Sequence, residues 1–253
     1  MGSIGAAGAF SLNATKILSG GEGGLLTTNS TNIFNLSAMT HVFSTEIVDG
    51  ELRYRGPNSL GLNYRTNEFT SAFALGRFTS FEEERAQRIA HAVLLIDRLK
   101  AFPGIVPPVC TTDGSHVYSM LRIRLNPAAM SIDMPARLFR EKVAKAMVAE
   151  GMDWWIWERR ALPDYPVFQI AIDTGFPFRA QEFMSFDRKP NAHKHFPMAA
   201  ALADDALFTS VHFPGNGDLI DAYLCGIEKI WNHIDEIIEL PVDSIPSEYQ
   251  IPF

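Results

Sequence analysis

One lysine stands out for the residues around it. Lys16 lies in Phe10-Ser11-Leu12-Asn13-Ala14-Thr15-Lys16-Ile17-Leu18-Ser19, which runs directly into Gly20-Gly21-Glu22-Gly23-Gly24. A lysine ringed by small residues and hydroxyls in a confined polar site loses solvation in its charged form, so its pKa falls and its amine is freed as a nucleophile. Neighbouring glycines let the backbone approach a flat cofactor closely. The stretch is not a Walker phosphate loop, because Lys16 is not preceded by Gly and followed by Ser or Thr. Gly2, Gly5 and Gly8 also miss the dinucleotide spacing. The competing reading is a surface lysine ahead of a glycine-rich turn.

Other candidate groups are less pointed. His193 and His195 flank Lys194 and could join His212 on a metal, but no further ligand stands at a convincing spacing, so the sequence predicts a solvated loop and no metal site. Trp154, Trp155 and Trp157 have planes suited to stacking on a sugar face, set against the reading that alternate tryptophans pack into a core layer. Glu82-Glu83-Glu84-Arg85 reads as a solvated helix start. No role is assigned to His41. Asn13, Asn29 and Asn35 fit glycosylation sequons, which a non-secreted protein would not use.

The elements that must position these groups follow from pattern. Leu25 to Thr28 reads as a short strand, a helix runs from about Thr31 to Thr40, and Gly50 to Leu62 reads as a loop. From Asn67 to Leu99 the apolar positions recur near the helical period, as two helices or one long kinked helix, ended by Pro103 and Gly104. Val117 to Leu125 alternates as a strand. Asp133 and Pro135 open an amphipathic helix that Gly151 closes, and Asp153 to Trp157 is a short aromatic strand. Residues 161 to 198 are loop-rich, and Leu219 to Ile238 reads as one long helix stopped by Pro241. That order suggests an α+β layer from about residue 105 onward.

Composition bounds the function classes. The chain has 253 residues, 47% hydrophobic and 20% charged, and 22 Lys plus Arg against 29 Asp plus Glu give a net charge of −7. This is the balance of a soluble globular protein whose main partner is neither nucleic acid nor an anionic membrane. No apolar stretch approaches the roughly 18 residues of a spanning helix. The two cysteines, Cys110 and Cys225, are too few for a disulfide framework, and a cytoplasmic setting is the simplest fit.

The segment Ser11 to Gly24 closely resembles the pyridoxal-phosphate lysine motif of the nucleotide-sugar and aminocyclitol aminotransferases, a DegT-type family of fold type I. A second stretch, Gly61-Leu62-Asn63-Tyr64-Arg65-Thr66-Asn67-Glu68, is similar to the family's Gly-Tyr-Asn-Tyr-Arg-Met-x-Glu and is followed by the same small-residue helix and a charged helix ending in Pro-Gly-Ile. The two motifs, in order, cover roughly residues 3 to 105. Leu62 stands for a usual Tyr and Thr66 for a usual Met. Further on, Leu162-Pro163-Asp164-Tyr165-Pro166-Val167-Phe168-Gln169 stands where the family often has Tyr-Tyr-Pro-Pro-Leu-His.

The resemblance implies an α/β chain, the C-terminal part of a fold type I pyridoxal-phosphate transferase with an α+β small domain. Residues 1–40 would be the tail of the large cofactor domain, and 41–253 the linking helices and small domain. It implies that Lys16 is the Schiff-base lysine and the proton shuttle, that the Ser11 hydroxyl binds the cofactor phosphate, and that Asn63 reaches the phosphate held by the neighbouring subunit of a homodimer. Lysine rather than histidine at this position points to transamination, from glutamate or glutamine to a keto-sugar or keto-cyclitol. In the family, the turn that grips the phosphate, the aromatic residue stacked on the cofactor ring and the aspartate at its nitrogen precede the lysine. They cannot be placed ahead of Lys16, so the sequence predicts an N-terminally truncated chain, inactive by itself. The rival reading is a catalytically inactive fragment or an assembly or regulatory subunit.

Overall fold

The computed structural model describes residues 2–42, 45–48, 51–54, 61–109, 116–166, 192–211 and 218–241. They divide into two compact units, Met1–Ala86 and Gln87–Phe253.

The first unit opens with an antiparallel pair, β1 (Ala7–Ser11) and β2 (Gly24–Thr28), in register from Ala7 opposite Thr28 to Ser11 opposite Gly24. The Thr28 hydroxyl donates to the Ala6 carbonyl at 2.7 Å and accepts from the Ser30 amide at 3.0 Å, which turns the chain into a helix. Ser30 caps that helix, α1 (Thr31–His41), by accepting from the Ile33 amide. The sequence reading of β2 and α1 holds to within a residue or two. Gly50 to Leu62 does not stay a loop throughout. β3 (Thr45–Val48) and β4 (Glu51–Tyr54) pair antiparallel, with Val48 opposite Glu51. Two residues separate the strands, and that pair, Asp49-Gly50, is a strong hairpin signal.

Asn67 starts α2 (Glu68–Leu99), its side-chain oxygen accepting from the Thr70 amide at 2.9 Å. α2 is one continuous helix of 32 residues. The run Glu82 to Arg85 therefore lies inside it rather than at a start, with Arg85 paired to Glu82 and Arg77 to Glu84.

The second unit is built on a four-stranded antiparallel sheet. β5 (Ile105–Val106), β6 (Leu121–Leu125), β8 (Ala206–Thr209) and β7 (Trp154–Trp155) stand in that spatial order. Along β6 the residues Leu121, Ile123 and Leu125 are buried, while Arg122 and Arg124 take the other face. The strand does not extend back to Val117, because Tyr118 has φ of 47° and its amide donates to His116 Nδ1 at 2.8 Å. A left-handed residue cannot continue a ladder.

Helices α3 (Ala136–Ala149) and α6 (Asp218–Asn232) cover the sheet with Phe139, Val143, Met147, Ile220, Ile227 and Ile230. Each such side chain contributes about 1.5–3 kcal/mol by leaving water. Trp154 and Ile156 are buried in this core, and Trp157 is 47% exposed. Trp154 is thus a packing residue. The remaining α-helices among the described residues are α4 (Ala192–His195), α5 (Pro197–Asp205) and α7 (Ile234–Glu239). The single helix expected over Leu219 to Ile238 is two, α6 and α7, separated at His233. Cys110, His212 and Val167 to Gln169 lie outside the described residues, as does the His193 side chain. Among the described residues no helix is long and apolar enough to cross a membrane.

Candidate active site

Ser11 ends β1, and the chain then leaves the hairpin for a loop that returns at Gly24. The loop is not loose. The Leu12 amide donates to the Gly23 carbonyl at 2.9 Å, the Gly20 amide donates to the Leu12 carbonyl at 2.7 Å, and Leu12 is buried. Asn13 organises the rest. Its Oδ1 accepts from the Thr15 amide at 3.0 Å and from the Thr15 hydroxyl at 2.9 Å, its Nδ2 donates to Glu22 Oε1 at 2.9 Å, and its carbonyl accepts from the Lys16 amide at 2.9 Å. This is an asparagine side chain imitating a backbone turn.

Lys16 therefore sits on a turn fixed by Asn13, with its side chain exposed. Among the described residues its ammonium group has no hydrogen bond or ion pair, so the amine faces outward unengaged. The confined polar surroundings expected from sequence are not formed around it by the described residues. Ser11 is exposed as well, and its hydroxyl accepts weakly from the Asn13 amide at 3.3 Å.

The two sequence motifs meet in the first unit. Gly23 has φ of 120°, and a side-chain carbon placed there would stand 3.2 Å from Thr66 Oγ1. Gly20 backs onto α2, where an added carbon would meet Thr70 Cγ2 and Ala74 Cβ at 3.3 Å. The glycine run is thus the surface on which the lysine loop packs against residues 66–74. Asn63 lies in the same segment as Thr66, exposed, with φ of 54°, a left-handed conformation that asparagine tolerates. The neighbouring Leu62 amide donates to the Thr40 carbonyl at 2.8 Å, which ties the segment to the end of α1.

Asn13 shapes the lysine loop, a part that the sequence reading, which takes it only as a sequon, does not assign to it. Its signal was present as Asn-x-Thr immediately before the lysine, the spacing of an Asx turn. A primary amine with no counter-ion among the described residues and the Ser11 hydroxyl stand in one loop, groups of the kind that suit a carbonyl-bearing, phosphorylated cofactor.

Comparison with known proteins bears on the whole chain. It is 26% identical, over 94% of its length, to the Streptoalloteichus tenebrarius protein named "Putative L-glutamine:3-amino-2,3-dideoxy-scyllo-inosose aminotransferase", and covers 56% of that protein. It is 34% identical, over 59% of its length, to an L-glutamine:2-deoxy-scyllo-inosose aminotransferase of Micromonospora echinospora, covering 36% of it. The chain thus spans from about a third to somewhat over half the length of these curated relatives. Its fold matches the crystal structure of an aminotransferase from Psychrobacter cryohalolentis with a TM-score of 0.70 at 21% identity, over 93% of this chain and 58% of that one. The described α/β architecture therefore shares the fold of that part of the Psychrobacter protein. With residues 1–212 matching the DegT/DnrJ/EryC1/StrS aminotransferase family, the fixed lysine loop and the segment packed on its glycines belong to a member of that family.

Proposed function

We propose that this chain carries the lysine-bearing part of a pyridoxal-phosphate-dependent aminotransferase that moves an amino group from glutamine or glutamate to a keto-cyclitol or keto-sugar. The observation that carries the reading is the exposed Lys16 amine, unpaired among the described residues, on a turn held by Asn13. The relatives' names supply the class of donor and acceptor: both name L-glutamine and an inosose.

Pyridoxal phosphate, when bound, supplies an electrophilic carbonyl and an electron-withdrawing ring. Everything else falls to residues. Lys16 Nζ would hold the cofactor in the resting protein, leave it for the amino donor, and then carry a proton from one carbon to the next. The Ser11 hydroxyl would donate to the phosphate. Asn63, exposed on a separate segment, would serve a second copy in a homodimer with shared sites. Support for that association comes from the exposed apolar side chains Phe69, Phe73, Leu75 and Phe78 on α2, more than a lone soluble surface needs. The setting proposed is cytoplasmic.

The test is transfer of an isotopically labelled amino group from L-glutamine to a keto-inositol or keto-sugar acceptor by this chain reconstituted with the preceding half of a family active site, in the presence of pyridoxal phosphate. The reading expects transfer that Lys16→Ala abolishes. Transfer that survives Lys16→Ala would refute it.

A further inference from the structure

Three guanidinium groups converge on the stretch that follows β7. Arg140 on α3 is fully buried, donates to the Ala203 carbonyl of α5 and, through Nη2, to Glu141 Oε1 at 2.9 Å, and its Nε has no acceptor. Burial lowers its pKa, and the Glu141 charge opposes that shift, while Arg137 and Arg159 add like-charge repulsion. The same Glu141 oxygen accepts from Arg159 Nη1 at 2.9 Å. Arg137 donates to the Arg159 carbonyl at 3.3 Å and holds Asp204 Oδ1 through Nε at 2.8 Å and Nη2 at 2.6 Å.

These links bind one segment, Glu158 to Tyr165. It contains a single 3-10 turn, with the Asp164 amide donating to the Ala161 carbonyl at 2.9 Å and the Tyr165 amide to the Leu162 carbonyl at 3.2 Å. The Tyr165 hydroxyl donates to the Glu158 carboxylate and closes the segment on itself. Only Ala161 is buried within it, against Ala200. One buried alanine contributes little hydrophobic anchorage, so the polar links make a large part of what holds the segment.

The two arginines on Glu141 are not equivalent. Glu141 must stay with Arg140, because a buried guanidinium without its counter-charge is costly. Arg159 is 56% exposed and can leave without stranding a charge. The anchor is therefore built into the fold, and the movable half is on the segment.

We propose that Arg159 is a positioning residue: the Arg140–Glu141–Arg159 relay is an ionic latch that holds Glu158–Tyr165 against α3 and releases it at high ionic strength. The latch needs neither cofactor nor substrate, so it stands or falls separately from the proposed activity.

Hydrogen exchange on the full chain tests it at the Asp164 and Tyr165 amides, with the paired sheet residues Ile123 and Leu207 as controls. Arg159→Ala should speed exchange at the two turn amides about two- to fivefold, the range of a partly exposed ion pair, without moving the controls. Arg159→Lys should restore part of the protection. Raising salt to ~1 M should speed the same amides in the parent protein and leave Arg159→Ala unchanged. Parent-like exchange in Arg159→Ala, or an equal salt response in the two proteins, would overturn the latch.

Discussion

The Asn13 side-chain amide donates to Glu22 Oε1 at 2.9 Å, joining two positions nine residues apart on either side of Lys16. With the turn that Asn13 Oδ1 makes to Thr15, this bond holds the backbone beneath an exposed lysine side chain. The geometry of Lys16 is thus set by polar contacts at the base of its loop.

Asn13→Ala removes that base. Amide exchange at Lys16 and Gly20 should rise about tenfold, the equivalent of one net hydrogen bond, with no change at the sheet of the second unit. Exchange followed by mass spectrometry checks it.

Glycine substitutions should part according to place. Gly23 has φ of 120° and Thr66 Oγ1 at 3.2 Å from an added carbon, so Gly23→Ala should destabilise the first unit by about 1–2 kcal/mol. Gly76 lies inside α2 with nothing within 4 Å of an added carbon, and Gly76→Ala should stabilise by about 0.5–1 kcal/mol. Denaturant unfolding of both variants gives the two signs.

Charge removal around Arg140 should be equally asymmetric. Glu141→Ala strands the buried guanidinium and should destabilise the second unit by about 3 kcal/mol. Arg159→Ala leaves Arg140 and Glu141 paired and should cost less than about 1 kcal/mol. The comparison is read from unfolding midpoints at constant slope.

Asp153 predicts a pH effect. Partial burial raises its pKa above the ordinary value of 3.8. The folded state therefore holds its proton more tightly than the unfolded state, and that contribution is lost as pH rises through the folded value. Asp153→Asn should make the protein more stable than the parent at pH 7, with the gain shrinking as pH falls toward 4. Thermal unfolding across that range checks it.

Much of the fold was legible where apolar periodicity was long or alternation clear: α2, α3, the core half of β6. Its failures have local causes. The β3–β4 hairpin was hidden because Gly50 read as the start of a loop, although Asp49-Gly50 is a turn signal between two alternating runs. The α6–α7 helix pair shares one apolar period, so the pattern ran on through His233 where the backbone does not. β8 is only four residues long and follows α5 without a break, leaving no boundary to read. At the candidate site, residue types drew attention to Lys16 and Ser11, while the Asn-x-Thr spacing of an Asx turn at Asn13 carried only the appearance of a surface sequon. The arginine latch joins Glu141 to Arg159, 18 residues further on, and is invisible to any local pattern.

The central claim is that Lys16 is the residue that holds the cofactor. Borohydride reduction of the protein with pyridoxal phosphate, followed by peptide mapping, tests it most directly. The account predicts a pyridoxyl group on the peptide containing Lys16 and its loss in Lys16→Ala. Recovery of the group on a different lysine, or undiminished labelling of Lys16→Ala, would contradict it.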